Sequence, residues 1–357
     1  MNLSPLPWPP FGASPWPAPA PPPTSPLPSH ADVAIVGAGV TGLSAALVLA
    51  TEGRDAIVLD RAFGDGAACR SGGIIIGDTL VGPAEGFDRC EEDLRAWVDA
   101  HDVRGGLRWC GCLELDRDLA LPLDPIDWRD DGVVRVNRIV AGGVLDPAGL
   151  VERLAGEACA RGARFVNGAA VTSIARGRRG IDIDTSLGRL DAERVLVTTD
   201  ATSLVERDDP WPVRLTTIVI ETTPPTDVQL DRAGVRERRP FYTNDLPLLW
   251  GRLLPSKGLL VGRELIRGTS HDAVSLARAM LAASLRLIAR VRGLHPAFVD
   301  LEIARVWSGP IARDDRGVPA IHADPEIDGV LWAGGYGGHG LAPAFRLGAM
   351  AAGALIR

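Results

Sequence analysis

Apolar positions near the start of the chain sort into strand, helix and strand. Val33 to Val36 is an unbroken apolar run, the pattern of a parallel strand buried on both faces. It leads directly into Gly37-Ala38-Gly39-Val40-Thr41-Gly42, and a helix of small residues follows to about Thr51. A second apolar run, Ala56 to Leu59, ends in Asp60. Further on, Phe87 to His101 reads as an amphipathic helix with Leu94, Trp97 and Val98 on one face. Short strands and turns fill 103–145, including Asp130-Asp-Gly132. Asp146-Pro147 starts another helix, with Asp as cap and Pro at the first helical position, and Leu150, Val151 and Leu154 follow at helical spacing. Strands are predicted at 163–167, 170–175, 180–185 and 194–199, and sheet-like alternation over 213–266. A long helix spans 272–292, and the last block, 299–357, reads strand, turn, strand, glycine cluster, helix.

Composition narrows the picture. A chain of 357 residues can bury a large core, in one big domain or two. With 46% hydrophobic and 23% charged residues it is an ordinary globular composition. The formal charge of −7 argues against a nucleic-acid surface. The five cysteines are odd in number and form no CxxC, so neither a disulfide framework nor a metal site is suggested. Residues 1–29 hold twelve prolines with Trp8, Phe11 and Trp16, which favours extended chain over helix. The expectation is a leader lying across the surface or partly disordered, dispensable for cofactor binding; a partner-docking ligand is the alternative. The segment carries no Lys or Arg and shows no secretion signal. The apolar stretch 33–50 is better explained by the strand–helix unit than by a membrane span. A cytoplasmic protein is expected.

The opening unit carries the dinucleotide fingerprint in its required context. Gly37 permits the tight turn, Gly39 lets the backbone approach a pyrophosphate, and Gly42 lets helix and strand pack closely. The helix N-terminus offers free N–H groups and partial positive charge. Asp60 lies where a carboxylate would grip a ribose hydroxyl. A glycine-rich turn that binds nothing is the bland alternative. A second glycine-rich loop, Gly66-Ala-Ala-Cys-Arg-Ser-Gly-Gly73, follows. A third, Ala333-Gly-Gly-Tyr-Gly-Gly-His-Gly-Leu341, sits between the apolar strand Val330–Trp332 and a helix over Ala344–Ile356. Five glycines and a histidine exceed the needs of a tight turn, so its backbone is expected to face a ligand.

Three separated blocks, Val33–Asp60, Gly66–Gly73 and Arg305–Ile356, resemble the FAD-dependent D-amino acid oxidase superfamily. The last block runs Trp307-Ser-Gly309, Asp315-Arg-Gly-Val-Pro319, then Gly335-Tyr-Gly-Gly-His-Gly340, an order distinctive of that family. The Pro- and Trp-bearing leader resembles the putrescine-type branch, and the chain as a whole the γ-glutamylputrescine oxidoreductase / sarcosine oxidase branch. The resemblance implies an α/β fold with a Rossmann-type, glutathione-reductase-like FAD-binding domain and a β-rich substrate domain. Pattern shifts divide the chain into a leader (1–30), a discontinuous FAD-binding domain (31–83, 144–210, 299–357) and a substrate domain (84–143, 211–298).

For the site, the resemblance implies non-covalent FAD. Gly37, Ala38, Gly39, Thr41 and Gly42 would hold the pyrophosphate, and Asp60 with Arg61 the adenosine ribose. Ala68, Arg70, Ser71, Gly72 and Gly73 would lie beside the flavin; Cys69 and Ser71 depart from the family's Ser-Gly-Arg-Asn-Gly-Gly. Val171 would meet adenine by its backbone, and Gly335, Gly337, Gly338, His339, Gly340 and Leu341 the isoalloxazine. His339, Arg70 and Tyr336 are the candidate catalytic residues, with Tyr242, Trp250, Trp307 and Tyr336 as an aromatic lining. The implied reaction oxidises a primary or secondary amine, electrons passing to O2 or an acceptor partner. A glycine/sarcosine-type amino acid oxidase, an NAD enzyme and a flavin-binding subunit without its own activity are the rivals. Some relatives carry an oxygen-activating lysine where this chain has Leu260, which favours a dehydrogenase. Glycine-oxidase-like relatives place a carboxylate-binding arginine where this chain has Ile311; Arg252 is a possible substitute.

Overall fold

The computed structural model describes residues 3–4, 11–117, 126–202, 204–205, 213–235, 237–267 and 273–356. Its first sheet runs, in spatial order, Arg164–Asn167, Ala56–Asp60, His30–Val36, Gly188–Val197, Ile181–Thr185 and Val171–Arg176. The first four of these are mutually parallel, and Val330–Gly334 adds a fifth parallel strand against Gly188–Val197. The remaining two form an antiparallel meander, as the short strand pattern predicted.

One face of this sheet is covered by helices Val40–Thr51, Pro147–Ala160 and Leu341–Ile356, around Leu43, Leu49, Leu150, Leu154 and Leu347. The helices approach closely because they are built of small residues. A β-carbon at Gly348 would collide with Thr41 O. Asp146 caps the middle helix, accepting from the N–H groups of Ala148 (2.9 Å) and Gly149 (3.2 Å). The opposite face is closed by the meander through Ile174, Ile183, Leu190 and Val195.

The second sheet has eight strands, in the order Ile303–Arg313, Val213–Thr222, Leu259–Arg267, Trp250–Leu253, Phe241–Thr243, Cys112–Arg117, Val133–Val140 and Trp128–Arg129. Helix Ala273–Leu294 covers one face, burying Leu276, Met280, Leu287 and Val291 against Ile218, Ile220 and Val261. The other face looks toward the nucleotide domain.

Two domain assignments are corrected. Helix Cys90–Asp99 was expected in the substrate domain, but Phe87, Cys90, Leu94 and Val98 pack into the same core as Leu347 and Ala351. Strand Ile303–Arg313, expected in the FAD-binding domain, is the edge of the second sheet, paired with Val213–Thr222 over its whole length. The chain therefore crosses between domains within its last block. The leader lies across the surface as an ordered strap: from Phe11 onward it is hydrogen-bonded to both domains, with Phe11 on Ser308 and Ser25 N donating to Phe165 O. Among the described residues, no helix is long and apolar enough to cross a membrane.

Candidate active site

The C-terminal ends of the parallel strands open into a cavity of about 320 Å³ between the two domains. Gly37 makes the turn out of the first strand at φ +107°, a conformation costly for any side chain, and its N–H donates to Leu59 O (2.9 Å). A β-carbon on Gly42 would collide with Gly37 O, so this glycine serves close packing and does not line the cavity. A β-carbon on Gly39 would meet nothing within 4 Å. Backbone there is open to a ligand at the N-terminus of helix Val40–Thr51. Asp60 Oδ2 accepts from Ala38 N–H (2.6 Å) and Oδ1 from Ala62 N–H (2.8 Å). Burial pushes this carboxyl above its ordinary range, opposed by those two N–H groups. Asp60 thus braces the glycine turn as well as facing the cavity.

The glycine loop near the C-terminus completes the cradle. Gly335, Gly337 and Gly338 all have positive φ. Gly335 N–H donates to Asp200 Oδ1 (2.8 Å), and Gly337 N–H to Ala312 O (2.7 Å). Gly335 is held outside the cavity; Gly337, Gly338, His339, Gly340 and Leu341 line it. Asp200 is itself a lining residue, with burial raising its carboxyl to about 6. The hydroxyls of Tyr336 and Thr41 lie 2.6 Å apart and are buried. His339 packs edge-on against Tyr242, ring centroids 6.2 Å apart. Its buried Nδ1 has no hydrogen-bond partner among the described residues. Burial lowers the imidazole to about 4, so it is neutral at pH 7.

Between these parts runs the loop Ala68–Gly73. Each of its last five carbonyls accepts from a distant donor. Ser14 Oγ reaches Cys69 O (2.9 Å), Trp307 Nε1 reaches Arg70 O (3.0 Å), and Trp16 Nε1 reaches Ser71 O (2.8 Å). Arg252 Nη1 donates to Gly72 O (3.2 Å) and Gly73 O (3.0 Å).

The substrate sheet contributes Thr217, Tyr242, Leu246, Leu248, Trp250, Leu265, Gly309, Pro310 and Ile311 to the wall. Only two of these side chains carry a hydroxyl, and both protons are committed. Thr217 Oγ1 donates to Arg263 O (3.0 Å), and Tyr242 OH to Glu114 Oε2 (3.0 Å). Glu114 is a firm acceptor, because hydrogen bonds from Arg138 hold its carboxyl below the ordinary range.

A model of the FAD-dependent oxidoreductase family, DAO, matches residues 32–354. The chain belongs to this family. It is 26% identical to the probable oxidoreductase OrdL of Rhizobium meliloti, over 89% of this chain and 81% of that protein. In fold it is similar to glycine oxidase from Geobacillus kaustophilus, with TM-score 0.72 and 17% identity over 92% of this chain and 95% of that one. It is also similar to iminodiacetate oxidase from Chelativorans sp. BNC1, with TM-score 0.67 and 18% identity over 91% of this chain and 95% of that one. The protein is an FAD-dependent oxidoreductase.

The residues present fit FAD. The open backbone at Gly39, the helix N-terminus behind it, and the orphaned Nδ1 of His339 all face or adjoin one cavity. Ala38, Thr41, Arg61, Ala68, Ser71, Gly72, Gly73 and Val171 line it too. The candidate catalytic residues fare differently. Arg70 borders the cavity, but its Nε donates to Ser308 O (2.7 Å) and its Nη2 to Phe11 O (2.9 Å) and Gly12 O (2.6 Å). Its guanidinium is therefore committed to backbone. Tyr336 is tied to Thr41. Arg252 is buried on the carbonyls of Gly72, Gly73 and Leu145 and is no substitute carboxylate ligand. Trp307 is wholly buried beside Val219, Leu254 and Leu260, away from the cavity wall. Leu260 shares that cluster, so it too lies off the cavity. Thr198, Asp200, Thr217, Leu246, Leu248 and Leu265 are lining residues that sequence reading missed. Their neighbourhood arises from inter-strand register and has no local signature.

Proposed function

We propose that this enzyme oxidises a primary or secondary amine with no carboxylate next to the reacting carbon, giving an imine that hydrolyses. The observation that carries this reading is that, among the described residues, the substrate sheet offers the cavity no cationic side chain to pair with a carboxylate. A buried carboxylate needs a charged, hydrogen-bonding partner. Ile311, which the sequence reading sets at the arginine position of glycine-oxidase-like relatives, lines the cavity, while Arg70 and Arg252 are spent on backbone carbonyls. The protons of Tyr242 and Thr217 are likewise committed. Tyr242 can accept from an N–H group but cannot donate to a carboxylate without breaking its bond to Glu114.

FAD, when bound, supplies the hydride acceptor for the carbon next to nitrogen. The chain's own work is binding and exclusion of water. Leu246, Leu248, Leu265 and Ile311 line the cavity with hydrocarbon, beside the Trp250 ring. Desolvation there lowers the pKa of a bound ammonium and favours the neutral amine, the form able to give up hydride. Neutral His339 needs no proton for this task, and its orphaned Nδ1 is available to the cofactor or the amine. The relatives named glycine oxidase and iminodiacetate oxidase act on amino compounds, which supports the reaction class. The test is anaerobic bleaching of the bound flavin by amines without a carboxylate, compared with glycine, sarcosine and D-alanine.

A further inference from the structure

We propose that the leader segment Phe11–Pro17 is a working part of the flavin site: it sets the position of the loop Ala68–Gly73. The loop has little rigidity of its own, since it ends in two glycines. A loop facing a cofactor must nonetheless be held to a few tenths of an ångström. Here external donors supply that constraint. Ser14 Oγ and Trp16 Nε1 take alternate carbonyls, Cys69 O and Ser71 O. Between them, Arg70 turns its side chain outward onto the leader's Phe11 O and Gly12 O.

The leader is itself anchored to the second sheet. Phe11 and Ser308 exchange hydrogen bonds, Ser308 N–H to Phe11 O (2.9 Å) and Phe11 N–H to Ser308 Oγ (3.2 Å). Arg305 Nη1 donates to Ser14 O (2.8 Å), and Arg104 Nη2 to Pro17 O (3.2 Å). Gly12 passes so close to Val306 O, at φ +64°, that a β-carbon would collide. Trp16 then lies under the Arg252 guanidinium, 5.5 Å from ring centroid to guanidinium carbon. The leader, the substrate sheet and the flavin-side loop thus meet at one knot. Because Ala68, Arg70, Ser71, Gly72 and Gly73 line the cavity, a shift of the knot is a shift of the cavity wall. Trp16 and Ser14 are positioning residues, acting through the loop and touching no substrate.

The test uses the full-length holoenzyme carrying Trp16→Phe, which keeps a ring beneath Arg252 and deletes the N–H. Ser71 O loses its half-buried donor, and FAD should bind about fivefold or more weakly. The visible flavin band and the flavin midpoint potential should shift with it, which a mere loss of stability would not cause. Ser14→Ala provides the second arm, a smaller change that removes only the donor to Cys69 O. If Trp16→Phe does not fold, Ser14→Ala alone decides. Altered flavin spectrum and FAD affinity in either folded variant support the proposal. Unchanged spectrum, potential and FAD affinity in every folded variant, with or without a lowered Tm, would overturn it, leaving the leader a surface brace. None of these readouts requires an amine substrate, so the outcome is independent of the proposed reaction.

Discussion

Thr41 and Tyr336 are 295 positions apart in sequence, yet their hydroxyls meet at 2.6 Å inside the protein. This contact ties the first glycine motif to the last. It fixes where the C-terminal loop stands above the helix N-terminus. Tyr336→Phe should leave Thr41 without its buried partner, at a cost of ~1–3 kcal/mol. FAD affinity should drop roughly tenfold. Titration of apoprotein with FAD measures it, and equal affinity would show that the two loops are positioned independently.

Asp60 has two duties, bracing Ala38 and Ala62 and facing the cofactor cavity. Asp60→Asn keeps one acceptor oxygen but loses the charge. Charge-assisted hydrogen bonds contribute ~1.5–3 kcal/mol, so FAD should bind at least tenfold more weakly. A dissociation constant within a factor of two of the parent would remove Asp60 from the site.

How much of this was legible in the sequence depends on how local each feature is. Gly37, Gly39, Gly42 and Asp60 sit within one strand–helix–strand unit, where spacing fixes geometry. The loop Gly337–Gly340 was legible for the same reason, since a strand precedes it and a helix leaves it, though Gly335 beside it turns away from the cavity. The hydrogen bonds of Arg70, Arg252 and Trp307 could not be read from the sequence. Each ends on backbone carbonyls supplied by remote segments, and a carbonyl acceptor leaves no residue-type signature. The leader was legible as extended surface chain, but proline content says nothing about where such a chain docks. Its partners, such as Ser308 and Arg305, lie almost 300 residues away.

His339 gives a pH signature with a definite sign. Its imidazole is lowered from 6.5 to about 4 by burial, so the unfolded chain binds the extra proton between those values. Stability is therefore fully present above about 6.5 and lost as pH falls toward 4. His339→Gln should flatten the fall in Tm between pH 6.5 and pH 4. Parallel Tm curves for parent and variant would show that the imidazole is not desolvated.

FAD should be held without a covalent bond. Among the described residues lining the cavity there is no cysteine. Cys69, in the flavin-side loop, is buried in the core, and burial raises its thiol to about 12. Acid precipitation should release all the yellow colour into the supernatant. A yellow pellet would contradict this.

The central claim is that the substrate wall accepts an amine and rejects an α-carboxylate. It is tested most directly by stopped-flow anaerobic reduction of the purified holoenzyme. One panel contains putrescine, its acylated derivatives and N-alkylated amines; the other contains glycine, sarcosine and D-alanine. Ile311, and a Tyr242 proton bound to Glu114, predict rapid bleaching by members of the first panel and at most slow bleaching by the second. Efficient reduction by the amino acids, with none by the amines, would contradict the account.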